Sequence, residues 1–333
     1  MSFLEYGLKQ APTGLRKVLY LNWPLVILIT AVASTGFLML YSIAGGDLDL
    51  WARPQMERFG TGMVLMFFVA MVPIWFWRSM SVAAYLVAFA LLLVVEFFGV
   101  VGMGAQRWID LGFFRLQPSE MMKFTLVMVL AVYYDRLGPQ RVSRPLFVLI
   151  PVALILAPTV LVLMQPNLGT SLMLILAGGT VMLAAGVSFW YFGAVIGLFV
   201  GLVVGVFTLR GTPWQFLHDY QYKRIDTFLD PSADPLGAGY NIIQAKIALG
   251  SGGWSGKGFM QGTQSRLNFL PEKHTDFIFT TLAEEFGFVG AFSLLILYAL
   301  IIGFCLFAAL RNRDRFSALL IVGVAANFFF YIA

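Results

Sequence analysis

The chain has 333 residues, of which 59% are apolar and 12% charged, about half the charged share of an ordinary soluble domain. That is too little charge to cover a soluble surface. Composition therefore excludes a soluble globular protein, a disordered chain and a disulfide scaffold, and leaves a polytopic membrane protein. The net charge of +5 reads as membrane topology rather than a nucleic-acid surface, because cationic loops are held on the cytoplasmic side. The one cysteine, Cys305, allows no intrachain disulfide. His218 and His274, 56 positions apart, are too few for a His-built metal site.

Apolar runs predict nine membrane-spanning helices, near 23–43, 60–77, 80–101, 118–134, 145–164, 169–186, 190–209, 286–310 and 316–333. Lipid offers no partner to an unpaired backbone group, so each run is expected to be helical and the fold all-α, a polytopic transmembrane bundle. The first run follows Lys17 and contains Ala31-Val32-Ala33, which mimics a signal peptide. Its length of about 20 residues makes it an uncleaved span instead. With the N-terminus cytoplasmic, the inner loops hold ten Lys and Arg and the short outer loops four, which favours that orientation. The 333 residues then form a single integral membrane domain. The 66-residue stretch 210–275 is its one large extracytoplasmic loop. Within it, Tyr240–Leu249 is expected to form a short amphipathic helix.

Five segments stand out chemically. Gly193, Gly197, Gly201 and Gly205 recur every four residues and line one helix face. That face suits packing inside the bundle, with a dimerisation face or a lipid-tail groove as alternatives. Glu120 and Lys123 are three apart on a helix opening at Gln117-Pro118-Ser119. They can pair as an internal salt bridge or line a polar cavity. Just before them, Arg107 has the geometry to grip a phosphate, and Trp108 that of an interfacial anchor. In Asn268–Phe279 the densest constellation appears. A helix starting at Thr275 or Asp276 would align Asp276, Thr280 and Glu284 in one polar stripe. Asp276 would then be a charge on the helix dipole or a general base. Gly250–Gly258 mimics a phosphate loop but has Ser251 where Gly is required and Gly258 where Ser or Thr would hold Mg²⁺. A flexible or tightly turned loop is expected there. No internal repeat is evident, which weighs against an inverted-repeat transporter.

Gly104–Gly112, Gln117–Glu120 with Lys123, Gln165–Ser171 and the segment from Tyr220 to Glu285 together resemble the SEDS family (shape, elongation, division and sporulation), in its RodA branch. The likeness covers about 20 to 333. It implies a peptidoglycan glycosyltransferase that polymerises lipid II at the outer face of the bacterial cytoplasmic membrane, for cell elongation and rod shape. Lipid II, the nascent glycan strand, a class B penicillin-binding protein and other elongation-complex membrane proteins are the implied partners, with no nucleic acid. Asp276 matches the family's essential aspartate, Arg107 and Trp108 its first-loop pair, and Glu120 with Lys123 its buried ion pair. Arg210, Arg224 and Lys273, with Lys223, are further cations suited to a pyrophosphate. A divalent cation, Mg or Mn, would share that role, although no spacing demonstrates one. The family has ten spans and continues past the point matching Ala333 with an outer Pro- and Gly-rich loop. The competing classes are a flippase for a lipid-linked precursor and a non-catalytic scaffold for wall assembly.

Overall fold

The computed structural model describes residues 18–19, 21–102, 105–110, 112, 115–212, 215, 218, 222, 225–226, 229–230, 239–266 and 274–332. Among them run α1 (Trp23–Ile43), α2 (Ala52–Met71), α3 (Ile74–Phe98), α4 (Pro118–Arg136), α5 (Pro145–Met164), α6 (Leu168–Ala184), α7 (Phe189–Thr208), α8 (Tyr240–Ser251), α9 (Thr263–Arg266), α10 (Ile278–Arg311) and α11 (Arg315–Ile332). All but α8 and α9 stand where a span was expected. By length and composition α1, α3, α5, α7, α10 and α11 can each cross a membrane. The others fall short for local reasons. Arg53, Glu57 and Arg58 occupy the start of α2, four charges lie in α4, and α6 has 17 residues.

Boundaries moved where proline and glycine act. The second span begins at Ala52 rather than 60, and the break before the third lies at Val72-Pro73 rather than at Arg78-Ser79. Pro73 has no N–H to give a helix, and its extended backbone (φ −69°, ψ 147°) redirects the chain into α3. The third span stops at Phe98, not 101, because the chain becomes extended. Strands β1 (Val100–Gly102), β2 (Ala105–Asp110) and β3 (Arg115–Leu116) form an antiparallel sheet in that order. Val100 lies opposite Trp108, and Ile109 opposite Leu116. An all-α reading did not include this sheet.

The chain divides into two compact units. The first comprises residues 1–71 and 198–301, the second 72–197 and 302–333. In the second, α4 is central. It buries Met122, Leu126, Val127, Val129 and Leu130, on faces all around the helix, against α3, α6 and α11. Pro151 and Pro158 inside α5 would leave the carbonyls four residues earlier without partners. Tyr133 Oη donates to the Phe147 carbonyl at 2.8 Å and Tyr85 Oη to that of Leu154 at 2.9 Å, which repairs both gaps in a medium without water. Arg315 donates to the carbonyls of Leu137 and Ala185, capping the C-termini of α4 and α6.

The glycine stripe of α7 departs from expectation. No residue of α7 is buried, and a Cβ at Gly193, Gly197 or Gly201 would meet open space. Among the described residues nothing comes within 4 Å of a Cβ at those three positions, so the expected close backbone approach is not seen among them.

Candidate active site

In the first unit the site is built around the start of α10. The helix begins at Ile278, so Asp276 is not its first residue but lies, exposed, in the turn 274–277 that leads into it. The predicted stripe is accordingly split. Thr280 and Glu284 are buried on the helix, while Asp276 faces outward ahead of it. His274 stacks on Trp51 at the head of α2, with ring centroids 4.0 Å apart.

Nine residues into α10 the helix breaks at Gly287 (φ 66°, ψ −162°). A non-helical residue deprives nearby carbonyls of their usual donors. The glycine-rich segment 252–258 supplies replacements. Lys257 N donates to the Glu284 carbonyl and Gly258 N to that of Glu285, each at 3.0 Å. In return, Phe288 N donates to the Gly253 carbonyl at 2.8 Å and Val289 N to that of Trp254 at 3.2 Å. The approach is so close that a Cβ on Gly256 would lie 2.1 Å from the Glu285 carbonyl oxygen. One on Gly287 would lie 2.3 Å from Gly256 N. The phosphate-loop mimic is thus a tightly turned strap that grips the kink, and its glycines are there for backbone contact.

Two consecutive carboxylates hold the rest of the strap. Glu284 is fully buried. Its Oε1 accepts from Lys257 Nζ (2.7 Å), Thr263 N (2.8 Å), Thr263 Oγ1 (2.9 Å) and Gln264 N (3.1 Å). Glu285 accepts from Ser42 Oγ of α1 at 2.5 Å and from Met260 N at 3.1 Å. A buried charge requires such partners. Sequence reasoning missed Lys257, Glu285 and Ser42. Lys257 was visible only as part of a failed motif, and Ser42 is 243 positions from Glu285.

In the second unit Lys123 is 1% exposed and its partner Glu120 42%. The pair is therefore a buried cation with a carboxylate that opens outward. Lys123 Nζ meets Glu120 Oε1 at 2.8 Å and also the Tyr331 hydroxyl. Tyr331 Oη in turn donates to Glu120 Oε2 at 2.5 Å, and its ring lies under Nζ at 4.0 Å. Nothing in the sequence pointed to Tyr331, 208 positions away on α11. Arg107 and Trp108 sit on β2, both half-buried. Arg107 Nε donates to the Gln165 carbonyl at 3.0 Å and Nη2 to that of Pro166. Two of its donors thus tie the sheet to the turn before α6. Arg107 and Asp276 belong to different units.

Arg210, in the first unit, forms a bidentate pair with Asp226 (2.8 and 2.6 Å) and lies over the Tyr222 ring. The hydrogen bond from Arg210 holds the Asp226 carboxyl below its ordinary value. Lys223, Arg224 and Lys273 lie outside the described residues. Among the described residues no three His, Cys, Asp or Glu side chains converge as a metal site would need.

Comparison with known proteins adds a second line. Residues 18–333 match the FtsW, RodA and SpoVE family, described as cell cycle proteins. The peptidoglycan glycosyltransferase MrdB of Escherichia coli K12 is 40% identical over 315 residues, 94% of this chain and 82% of that protein. A solved peptidoglycan synthase complex, described as coordinating polymerization and crosslinking, contains a chain 28% identical with a TM-score of 0.75. The match covers 92% of this chain and 83% of that one. The rod shape determining protein RodA of Thermus thermophilus is 25% identical with a TM-score of 0.65, over 93% and 82% of the two chains.

Proposed function

Since the chain belongs to the FtsW/RodA/SpoVE family, we propose that it is a multi-pass membrane peptidoglycan glycosyltransferase of the RodA type, with Asp276 as its general base. It polymerises lipid II at the outer face of the bacterial cytoplasmic membrane. The acceptor is the sugar 4-hydroxyl of lipid II and the donor the anomeric carbon of the growing strand. Asp276 removes the hydroxyl proton as the new glycosidic bond forms. The bond to undecaprenyl pyrophosphate breaks, and that group leaves with the electron pair. One observation carries this reading of the site. Asp276 is an exposed carboxylate in the turn that enters a membrane-length helix, where a sugar on a lipid anchor would meet it.

Charge building on the leaving pyrophosphate calls for cations. Lys273 and Arg224 are the candidates in the loop. Arg210 and Arg107 bring guanidiniums already engaged with Asp226 and with backbone carbonyls. The residues described offer no ligand set for a divalent cation, and no step is assigned to one. A class B penicillin-binding protein is the partner that cross-links the product.

The test is incubation of the purified protein, with that partner, with labelled lipid II in detergent. Wild type is expected to form polymer, and Asp276→Asn to lower turnover roughly 10²–10⁴-fold while folding normally. Full activity in a well-folded Asp276→Asn protein ends the general-base assignment. Transport that requires a sealed bilayer, without polymer, favours a flippase. Sidedness has its own test, in a Cys305→Ala background. A Cys at exposed Ser255 is expected to react with an impermeant thiol reagent on intact spheroplasts. One at exposed Gln140 is expected to stay protected. The reverse pattern puts Asp276 on the wrong side for strand assembly.

A further inference from the structure

We infer that Glu284, through its pair with Lys257, is a positioning residue for the segment that carries Asp276. The inference rests on the general-base reading of Asp276. Its observations are separate from those behind that reading.

Glu284 draws four hydrogen bonds onto one oxygen, one from Lys257 of the strap and three from Thr263 and Gln264 of α9. The last two donors in the chain are the backbone amides of Thr263 and Gln264. Beyond Arg266 the next described residue is His274, stacked on Trp51, two positions before Asp276. Glu284 therefore ties α9, the last described element before Asp276, to α10, the element that follows it. It also sits on the helix that Asp276 leads into, eight residues further on. One buried carboxylate thus references the loop on one side of Asp276 to the helix on the other.

The chemistry suits a fixed reference rather than a reacting group. Glu284 is completely buried and takes its donors at 2.7–3.1 Å, so it touches no substrate. Lys257, 27% exposed, closes the pair from the strap side and also reaches Thr263 Oγ1 at 2.8 Å. Replacing Lys257 weakens the hold on the strap without opening a cavity in the helix packing. Misplacement of a reacting group by about 1 Å can cost on the order of 10²-fold in rate. A loosened anchor is therefore expected to act on turnover rather than on substrate affinity.

The experiment uses the full chain with its penicillin-binding partner and labelled lipid II in detergent. Lys257→Met is expected to lower kcat at least tenfold with KM unchanged, and Lys257→Arg to restore most of it. The double variant Lys257→Met/Glu284→Gln removes both charges. It is expected to regain the melting temperature lost in Lys257→Met while kcat stays low, because a neutral pair packs but does not hold the strap. A spin label on Thr275→Cys, in the Cys305→Ala background, is expected to gain mobility in both variants. Recovery of kcat together with the melting temperature overturns the inference and leaves Glu284 a purely structural residue. An unchanged label mobility overturns it too. Should Asp276→Asn retain activity, the general-base reading fails first, whatever the Lys257 variants show.

Discussion

Two of the buried charges among the described residues, Lys123 and Glu284, are satisfied in different ways. Lys123 is met by side chains, Glu120 from its own helix and Tyr331 from α11. Glu284 is met by the side chains of Lys257 and Thr263 and equally by the backbone amides of Thr263 and Gln264, which follow a strap whose glycines allow main chain to touch main chain. In a side-chain network the charged residues themselves carry the interaction, and pairs can be removed and tested separately. In a backbone cradle the sensitive positions are the uncharged ones that shape it. The sequence marks the first kind by ionisable residues at membrane depth and the second by glycines that look like a nucleotide motif.

The sharpest way to break the comparison is Gly256→Ala. The new methyl would meet the Glu285 carbonyl, and φ is +79° there. We expect a loss of at least about 3 kcal/mol, read as a drop in the melting temperature in detergent, although no charge changes. A neutral result would show that the strap yields and that the cradle is not backbone-defined.

In the side-chain network the order of effects is set by exposure. Glu120→Gln leaves a fully buried ammonium without its carboxylate and should cost about 3 kcal/mol. Lys123→Met leaves a carboxylate that is 42% exposed and should cost less. The double replacement should cost least of the three, measured as a double-mutant cycle of thermal stabilities. Simple addition of the single effects would mean the two residues are uncoupled.

Tyr331→Phe keeps the ring beneath Lys123 and removes the hydroxyl that accepts from Lys123 and donates to Glu120. About 1 kcal/mol is expected, and this should vanish when Lys123→Met and Glu120→Gln are both in place. A loss that persists there would assign the hydroxyl's effect to groups outside the pair.

The smallest effect is a pH dependence outside the membrane helices. Burial pushes the Asp314 carboxyl up, but hydrogen bonds from Ser317 and from Arg78 outweigh it and hold it below its ordinary 3.8. A depressed carboxylate adds stability above its unfolded value and loses it as pH falls through the folded one. Asp314→Asn should therefore lower stability at neutral pH, converge on wild type below about pH 4 as the wild-type carboxyl protonates, and so flatten the acid side of the profile. An acid limb identical to wild type would place the titration elsewhere.

Much of the frame was legible beforehand. Trp23–Ile43 and Pro145–Met164 were read to the residue, and the other spans within three positions at one end or both, except α2, which starts eight residues and ends six residues before its expected bounds. Each depends on the local run of apolar side chains and on local stops such as Pro118 and Asn167. The errors share a cause. The break at Pro73 and the extended backbone after Phe98 lie inside apolar text, where hydropathy carries no punctuation. The stripe from Asp276 to Glu284 assumed a helix start two residues too early, and the difference leaves Asp276 exposed rather than packed. The glycine face of α7 was legible as a face, but not as one that no described residue covers at Gly193, Gly197 or Gly201.

By itself the sequence determined that the protein is a multi-pass bundle, which apolar runs form its long helices, and which ionisable residues are too costly to be there without partners. Those are properties of single residues and short windows in a low-dielectric medium. Tertiary structure alone decided who the partners are. Tyr331 reaches Lys123 across 208 positions. The carbonyls of Glu284 and Glu285 become free to receive the strap only because α10 is bent at Gly287. A hydrogen bond needs two groups within about 3 Å in the folded chain, and separation along the sequence does not encode that distance.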